Sequence, residues 1–589
     1  MYISEIKEIS NYRNLSGKTI KFDKKVNFLI GENNIGKTNI LELINIFLSV
    51  GKFSESDFTD IINPIQIKMT IKYSEEEIGF FEDNFDVDDC KAITLVAIQD
   101  SVGERLNYYH DIPNQTKISM SVIKKMNVLY YYAQRLPSKE VDFRKTSGSG
   151  KVLNFLIQNS LEAVGIQEKN VLDRNKLDSV VTYINEQIKS LNTITGDNIN
   201  AYIDEEADKV ICRILGLGDE NKRELSALGE GIQYAFNILL QIIEIIYSIK
   251  SSRKQEDFEE HLIYKNGKKL FPLFLILDEP EIHQHPYRQR SLIKKIESLM
   301  NNENQEFIKL LNTLFHIDGM IGQIFIATHS PNILLNDYKQ FIRIYHSLEK
   351  EKSNNDIDIV SGCEIKLDKH SKNKISEEEK FDKHFFRGIM YLKEAMFSKC
   401  ILFVEGDTEN GAMPVFAEKM GLDFDEKGIG VVKLDGAKTI EGYKKLYSSF
   451  GIKTIAILDK DQESEYANIP DTIFTSGKDF EEDIYDNFLF NDYINYKNHV
   501  GKIGKFVDSI KAYDDEIKKN KKEFIKTPSL LFNINEKLQK IIMENIKEDE
   551  VDELREIKNS SRGAILAEYV TKVPESFQAV INRLKEEVK

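Results

Sequence analysis

Two groups of carboxylates in the C-terminal half of the chain have the spacing of a metal site. The apolar run 401–404 is predicted to be a buried strand, and Glu405-Gly406-Asp407-Thr408-Glu409 follows it directly. The apolar run 454–458 is predicted to be a second strand, and it continues into Asp459-Lys460-Asp461. Parallel strands end at one shared crevice, and Glu409 follows Glu405 by one helical turn. We therefore expect these carboxylates to converge: Glu405, Glu409, Asp459 and Asp461.

Carboxylates that converge in one crevice repel each other and are tolerated only when cations lie between them. Hard oxygen ligands favour Mg²⁺ or Mn²⁺. Two such ions suit in-line attack on a phosphodiester, since one generates hydroxide and the other stabilises the departing oxygen. A single carboxylate at a strand end is equally well explained as a solvated helix cap. Two clusters in this order, with a glycine in the first, favour a phosphodiester-cleaving site.

A second set of residues, near the N-terminus, has the pattern of a nucleotide site. The segment 31–38, Gly-Glu-Asn-Asn-Ile-Gly-Lys-Thr, fits GxxxxGK[ST] and lies between a predicted strand, 25–30, and a predicted helix, 39–48. Backbone N–H groups of such a loop surround phosphates. Lys37 would neutralise the β- and γ-phosphates, and the Thr38 hydroxyl would bind Mg²⁺. The ATP-binding residues expected in this loop are Gly31, Asn33, Asn34, Gly36, Lys37 and Thr38.

Two later strand ends complete this site. The apolar strand 271–277 ends in Asp278-Glu279-Pro280, so Asp278 is expected beside the metal and Glu279 is placed to polarise the attacking water. The strand 322–327 is followed by Thr328-His329-Ser330, and His329 is expected to sense the γ-phosphate. A lone histidine is more often structural, but its place at this strand end favours a function.

These residues need α/β units to position them. The chain has 589 residues, and at roughly 150 residues per domain this indicates three or four units. Segment 1–150 alternates strands and helices and ends in a flexible loop, 147–150. Segment 151–222 is helical without strand signals and is predicted to be a helical insertion that mediates dimerisation. The remaining divisions are a second nucleotide-binding part, 223–348, a charged linker, 349–385, and a C-terminal α/β unit with a helical tail, 386–589.

Composition restricts the setting more than the activity. Hydrophobic residues make up 41% and charged residues 30% of the chain, as in soluble globular proteins. The four cysteines are scattered, the N-terminus lacks a signal-peptide pattern, and the longest apolar stretch, 235–249, is predicted to be a buried helix. We therefore expect a cytoplasmic protein without a membrane partner. The net charge of −16 argues against indiscriminate coating of nucleic acid, but it allows a local DNA-binding patch.

The first 345 residues or so resemble an ABC-type ATPase of the RecF/SMC branch. The string Leu-Asp-Glu-Pro-Glu, which runs on into Ile282-His283-Gln284-His285-Pro286, matches the D-loop of that branch. Its signature loop, which acts in trans, is matched best by Leu228-Gly229-Glu230-Gly231, with Gly229 and Gly231 toward the nucleotide. This segment lacks a serine directly before the first glycine. The resemblance implies a homodimer that holds two ATP molecules between its subunits, and the departure in the signature loop predicts slow ATP turnover.

The C-terminal region resembles a Toprim domain, and the whole chain is similar to the OLD (overcoming lysogenization defect) family of nucleases. The segment 386–409, from Phe386-Arg387 to Glu405-Gly406-Asp407-Thr408-Glu409, is similar to the lead-in of that family, and the order of the two domains agrees. The resemblance implies a doubly wound parallel sheet with Glu405, Glu409, Asp459 and Asp461 as metal ligands. It also implies a later ligand, Glu481, and a late basic residue, for which Arg562 is the nearest match and Lys558 the alternative.

The resemblance implies a DNA endonuclease or nickase that uses Mg²⁺ or Mn²⁺ and has an ATP-controlled dimer. Such proteins appear in bacterial anti-phage defence, beside a helicase-like protein in Gabija or a reverse transcriptase with its RNA–DNA product in some retrons. One alternative is an ATP-gated DNA clamp like SMC or RecF, which would not cut DNA. Another is a topoisomerase-like enzyme, which the ABC-type ATPase argues against.

Overall fold

The structure is a computed structural model, and it describes most of the chain. The described residues are 1–84, 91–112, 115–132, 149–165, 174–203, 215–228, 230–252, 258–282, 284–347, 356–366, 390–434 and 436–588. The chain forms two compact units, Met1–Lys366 and Leu367–Lys589. Both are α/β units, as the sequence predicts.

The first unit is centred on a seven-stranded sheet within the described ranges. Its strands follow the order Ile263–Lys265, Lys268–Asp278, Gly319–Ala327, Val26–Gly31, Phe341–His346 and Ile357–Ser361, and Val128–Tyr131 also pairs with Lys268–Asp278. The inner pairs are parallel, whereas the strands at both ends of this path are antiparallel. Asp278 lies opposite Ala327, and Ala327 lies opposite Leu29. The predicted nucleotide residues therefore follow neighbouring strands at one edge of the sheet.

A second sheet of the first unit is antiparallel. Its six described strands follow the order Ile20–Lys21, Tyr2–Ser10, Ile65–Lys72, Ala92–Gln99, Asn107–His110 and Lys117–Ile118. The alternation of buried and exposed residues along Ile65–Lys72 gives one face to the core, where it packs with the helix Lys37–Ser49 in one hydrophobic cluster. This cluster holds the helix that follows the nucleotide loop.

The described helices of the first unit are Lys37–Ser49, Met120–Lys124, Ser149–Val164, Arg174–Thr195, Glu230–Ser251, Pro286–Met300 and Gln305–Phe315. One described stretch, Gly231–Ser251, is long and apolar enough to cross a membrane, and 67% of its most apolar window is buried inside the protein. It contacts three other helices and the strand Val128–Tyr131, and Asn237 and Gln241 are buried with it. The prediction of a buried helix is confirmed.

The segment after residue 147 differs from the sequence expectation. The predicted loop 147–150 is wrong in its second half, because Ser149 and Gly150 are buried in the first turn of the helix Ser149–Val164. The predicted all-helical segment also contains an antiparallel pair of strands, Ile199–Ile203 and Leu215–Asp219. Gly216 and Gly218 weaken the strand signal. A Cβ atom at Gly216 would lie 2.8 Å from Tyr202 Cζ, so the glycine leaves room for that ring.

The predicted linker also starts too early. Ile357–Ser361 pairs antiparallel with Phe341–His346 and completes the central sheet, and the first unit ends at Lys366. The strand Ile357–Ser361 is short and lies in an Asn- and Ser-rich context, which hid its pattern. Residues 367–385 of the predicted linker lie outside the described residues.

The second unit is built on a parallel sheet of four described strands. Their order is Ile429–Lys433, Cys400–Val404, Lys453–Leu458 and Thr472–Phe474. Every pair is parallel, and Val404 lies opposite Ile457. The two predicted carboxylate groups therefore begin at the same edge of the sheet.

Helices cover this sheet and form a C-terminal bundle. In the described ranges they are Met390–Glu394, Asp407–Lys419, Phe424–Lys427, Ile440–Ser449, Glu463–Tyr466, Phe480–Asp486, Phe490–His499, Ile503–Ile510, Asp515–Lys526, Glu536–Arg555, Ser560–Tyr569 and Glu575–Glu587. Asp407–Lys419 and Ser560–Tyr569 approach very closely. A Cβ atom at Gly411 would lie 1.7 Å from the Ser560 carbonyl oxygen, and one at Gly563 would lie 1.8 Å from that of Thr408. These glycines bring the helix Ser560–Tyr569 next to the first carboxylate group.

Candidate functional site

The nucleotide loop has the backbone that its glycines require. Gly31 and Gly36 have φ values of 153° and 110°, and a Cβ atom at Gly31 would lie 2.3 Å from the Ile344 carbonyl oxygen. Asn33 and Asn34 are exposed in the loop, and Gly36 caps the helix Lys37–Ser49. The first N–H groups of that helix therefore point into the loop, as an anion site needs.

Lys37 is folded back on this loop. Its ammonium donates to the carbonyl oxygens of Gly31 at 2.9 Å and Glu32 at 2.7 Å. Burial lowers the pKa of Lys37 to about 8, against the attraction of nearby carboxylates such as Glu279. A buried ammonium held only by carbonyl oxygens would gain strongly from a phosphate.

Asp278 lies at the end of its strand, beside Thr38. Its carboxylate accepts from the Thr38 hydroxyl at 3.5 Å and from the Tyr130 hydroxyl at 3.4 Å. Burial, with the repulsion of Glu279, raises the pKa of Asp278 to about 6. The Thr38 hydroxyl and the Asp278 carboxylate are the oxygen donors expected to hold a magnesium ion in such sites. Tyr130 was missed from the sequence, because its role depends on the pairing of its strand with Lys268–Asp278.

Glu279 and His329 meet at the same edge. His329 Nε2 lies 3.5 Å from Glu279 Oε1, and both side chains are about one-third exposed, at 34% and 37%. Burial lowers the pKa of His329, with a further contribution from Lys37, which favours the neutral ring. Glu279 has a left-handed backbone, with a φ of 47°, and its N–H donates to the Ala327 carbonyl oxygen at 2.9 Å. This conformation turns the side chain out of the strand and toward the site.

The predicted signature loop is described only in part. Gly229 lies outside the described residues, as does His283 of the D-loop. Gly231 is buried in the first turn of the helix Glu230–Ser251, and its carbonyl oxygen accepts from Gln284 Nε2 at 2.8 Å. The D-loop segment and the start of this helix are therefore in direct contact.

The structure brings the acidic residues of the second unit together. Glu405 Oε2 accepts from the Asp459 N–H at 3.1 Å, and Asp459 Oδ1 accepts from the Phe480 N–H at 3.2 Å. Glu481 Oε1 accepts from the Thr408 hydroxyl at 3.3 Å. Glu409 is only 7% exposed, and a Cβ atom at Gly406 would lie 2.7 Å from its Oε2 atom. Gly406 therefore makes room for the Glu409 carboxylate.

Several pKa values in this cluster are raised by burial and by the repulsion between neighbouring carboxylates. Burial raises the pKa of Asp459 from 3.8 to about 8, and the neighbouring Glu409 and Glu405 raise it further. Burial, with the repulsion of Glu481, raises the pKa of Glu409 to about 7. The pKa of Glu405 is raised by burial and by Asp461, which is exposed and accepts from Gln462 Nε2 at 2.8 Å. The cluster thus concentrates negative charge that a cation would neutralise.

The donor chemistry of the cluster fits a hard divalent cation. All its candidate ligands are carboxylate oxygens, and among the described residues the buried Glu481 Oε2 atom makes no hydrogen bond shorter than its 3.4 Å ion pair with Lys558. Within the described ranges, however, no group of three or more His, Cys, Asp or Glu side chains has the arrangement of a ready-made metal site. Small rotations of these side chains are needed for an ion to be held. Asp479 takes another role, because it accepts from the Glu482 N–H as a helix cap and from Arg555 at 2.7 Å.

The basic residue at the cluster is Lys558. Its ammonium lies 3.4 Å from Glu481 Oε2, and nearby carboxylates, led by Glu481, raise its pKa against the effect of burial. Arg562, the other residue that the sequence offers for this role, has different surroundings. Arg562 is 8% exposed, and its guanidinium lies 5.9 Å from the ring centre of Tyr496. Lys558 precedes the N-cap Asn559, whereas Arg562 lies in the first turn of the helix Ser560–Tyr569, on the side that packs into the bundle.

Comparisons with known proteins agree with the two units. Residues 396–461 match the family model described as "Overcoming lysogenization defect protein-like, TOPRIM domain". Residues 1–149 and 149–334 match the model described as "AAA ATPase domain". The two matches correspond to the two sets of residues that the structure gathers at sheet edges.

Individual relatives match shorter or more distant parts. The DNA replication and repair protein RecF of Francisella tularensis subsp. novicida (strain U112) is 40% identical over 63 residues, which are 11% of this chain and 18% of the relative. This chain therefore spans less than a fifth of that relative. Two solved structures each cover 61% of this chain. The SMC head domain from Thermotoga maritima has 12% identity, a TM-score of 0.30 and 99% of its own chain covered. The recombination mediator protein RecF-ATPrS in the RecFOR pathway has 13% identity, a TM-score of 0.31 and 98% covered.

Proposed function

The chain belongs to the family of OLD-like proteins that join an AAA ATPase domain to a TOPRIM domain, and from this premise we propose that it is an ATP-binding, divalent-metal-dependent DNA nuclease. The observation that carries the proposal is the cluster at the edge of the parallel sheet. There Glu405, Glu409, Asp459 and Glu481 lie together with one facing cation, Lys558. The pKa values of Glu405, Glu409 and Asp459 are raised, and carboxylates with raised pKa values at a strand edge are typical of a metal-dependent phosphoryl-transfer site.

In this proposal Glu405, Glu409, Asp459, Asp461 and Glu481 hold the metal ions. Bound divalent ions, Mg²⁺ or Mn²⁺, supply an activated water and charge stabilisation for the departing oxygen. Gly406 leaves space for the Glu409 carboxylate, and Asp459 is held by the N–H of Phe480. Lys558, now paired with Glu481, is placed to neutralise a scissile phosphodiester.

The first unit is proposed to bind and hydrolyse ATP. Lys37 would exchange its two carbonyl acceptors for phosphate oxygens, and Thr38 and Asp278 would hold the magnesium ion. Glu279 is the candidate base for the attacking water, and His329, 3.5 Å away, is the candidate contact to the γ-phosphate. The lowered pKa of His329 keeps its ring neutral, so it can accept a proton or donate one.

DNA as the substrate, a homodimer as the working form and the cytoplasm as the location are part of the same proposal. They are supported by the OLD-like match at residues 396–461 and by the RecF match over 63 residues. Bacterial anti-phage defence, with a helicase-like protein or a reverse transcriptase as partner, follows from the family resemblance and stays a prediction.

The test is cleavage of supercoiled and linear DNA by the full chain with Mg²⁺ or Mn²⁺. Asp459→Ala/Asp461→Ala should lose about 100-fold or more of the cleavage rate, since two metal-holding side chains are removed. The matched control is Asp425→Ala/Glu426→Ala, which removes two exposed carboxylates of the same unit and should cut normally. Equal cleavage by wild type and the Asp459/Asp461 variant would refute the nuclease site. DNA binding controlled by ATP, without any scission, would support the clamp instead.

A further inference from the structure

A continuous set of hydrogen bonds runs from the start of the helix Glu230–Ser251 to His329. Glu281 is at one end of it. Its Oε1 atom accepts from the Thr328 hydroxyl and from the His329 backbone N–H, both at 2.7 Å. The backbone of His329 is therefore held by a side chain that comes from the segment after Glu279.

Gln289 continues the set. Its Oε1 atom accepts from the Ser330 hydroxyl at 2.7 Å, and its Nε2 atom donates to the Gln284 carbonyl oxygen at 2.9 Å. The Ser330 N–H donates to the Thr328 hydroxyl at 2.9 Å. Gln284 in turn donates to the Gly231 carbonyl oxygen at 2.8 Å. Thr328, Gln284 and Gln289 are all at least nine-tenths buried.

This arrangement has an energetic cost for the fold. Glu281 is largely removed from water, and its Oε2 atom is buried without a hydrogen-bond partner among the residues that the structure describes. A buried carboxylate with one unsatisfied oxygen destabilises a fold, whereas an apolar side chain would not. Charge-assisted hydrogen bonds are about twice as strong as neutral ones, so this carboxylate fixes the Thr328–His329 backbone more firmly than a neutral group would. Because Glu281 lowers the stability of the fold and yet holds the backbone of His329, its role is best explained by the need to keep His329 in place.

We propose that Glu281 and Gln289 are positioning residues for ATP hydrolysis, which fix His329 beside Glu279 and link that geometry to the start of the helix Glu230–Ser251. The inference rests on the proposed ATPase function and names residues that act through His329 rather than on the nucleotide. A shift of the helix start would pass through Gln284 and Gln289 to the Thr328–Ser330 backbone. A contact that moves the start of this helix would thus change the rate of ATP hydrolysis but leave the affinity for ATP unchanged.

The experiment measures the ATPase rate and the ATP affinity of full-length variants. Glu281→Ala should lower kcat about tenfold and change the Kd for ATP less than about twofold, because the P-loop is untouched. Glu281→Gln should keep about a third or more of kcat, since its amide oxygen can accept both hydrogen bonds. Gln289→Ala should lower kcat about threefold or more. The matched control is Glu306→Ala, an exposed carboxylate of the helix Gln305–Phe315, which should match wild type.

The decisive arm repeats Glu281→Ala in a His329→Ala background. If Glu281 acts through His329, the double variant should be no more than about twofold slower than His329→Ala alone. Additive losses, or a loss of ATP affinity as large as that of kcat, would overturn the inference. Thr328→Val removes one of the two donors to Glu281 without changing the volume of the side chain. This variant covers the case in which Glu281→Ala does not fold. A wild-type kcat for Thr328→Val would also overturn the inference. Normal turnover by His329→Ala, or no turnover by wild type, would instead refute the proposed ATPase chemistry.

Discussion

Asp459→Asn should make the metal-free protein more stable at alkaline pH while removing its response to metal. Asp459 is partly buried and lies among like charges, and both effects raise its pKa from 3.8 to about 8. The folded state therefore holds this proton more tightly than the unfolded state does. The Asp459 contribution to the free energy of unfolding is complete below about pH 4 and declines as the pH rises from about 4 through about 8.

The size of the effect follows from the same shift. Between the unfolded and the folded pKa, each pH unit removes about 1.4 kcal/mol from the free energy of unfolding. From pH 4 to pH 7 the charged Asp459 would therefore cost up to about 4 kcal/mol. Side-chain rotation and the attraction of Lys558 relieve part of that cost, and we expect roughly 1–3 kcal/mol to remain. Asparagine carries no charge, and its amide oxygen can still accept from the Phe480 N–H.

The assay is thermal unfolding in a chelator at pH 5 and pH 8. The variant should unfold about 2–8 °C above wild type at pH 8, and the advantage should shrink toward pH 5. Added Mg²⁺ or Mn²⁺ should raise the midpoint of wild type but not of the variant. The matched control is Asp461→Asn, which is exposed, acts on the neighbouring Glu405 and should change the metal-free midpoint much less than Asp459→Asn does. A variant that is less stable than wild type at pH 8, or an advantage that grows toward pH 5, would refute the reasoning.

Three further substitutions test other parts of the structure. Lys37→Ala should lower the affinity for a fluorescent ATP analogue about tenfold or more, because it removes the buried ammonium beside the loop, and an unchanged affinity would count against the site. Lys558→Ala should lower the rate of DNA cleavage about 100-fold with little change in the melting temperature, whereas Arg562→Ala should keep that rate within about threefold of wild type. A larger loss of cleavage for Arg562→Ala than for Lys558→Ala would place Arg562 in the site. Gly563→Ala should cost roughly 1–3 kcal/mol of stability in a chemical unfolding experiment, because its Cβ atom would meet the Thr408 carbonyl oxygen. Ser561→Ala, at a nearby exposed position, should be neutral. Equal stability of the two variants would contradict the close packing of these helices.

The sequence alone determined which residues lie at the strand ends. Gly31–Thr38, Asp278 and His329 each follow an apolar run, and so do Glu405 and Asp459. Parallel strands in an α/β unit end at a common edge, so the order of these runs was enough to predict two gathering points. The strand pairs Asp278–Ala327 and Val404–Ile457 confirm that placement. The buried helix 235–249 was equally predictable, because most of its residues are apolar and only a narrow stripe with Asn237, Gln241 and Glu244 is polar.

Only the tertiary structure decided which side chains turn toward those edges from elsewhere. Lys558 and Arg562 are four residues apart and look equivalent in sequence, but the helix Ser560–Tyr569 docks through Gly563, and this leaves Lys558 at the carboxylates and puts Arg562 into the bundle. Glu281 and Tyr130 reach their sites through the folding of a turn and the pairing of a strand. Such contacts join residues that are far apart in the chain, and no local pattern of hydrophobicity records them. Their positions depend on packing, which is a property of the whole unit.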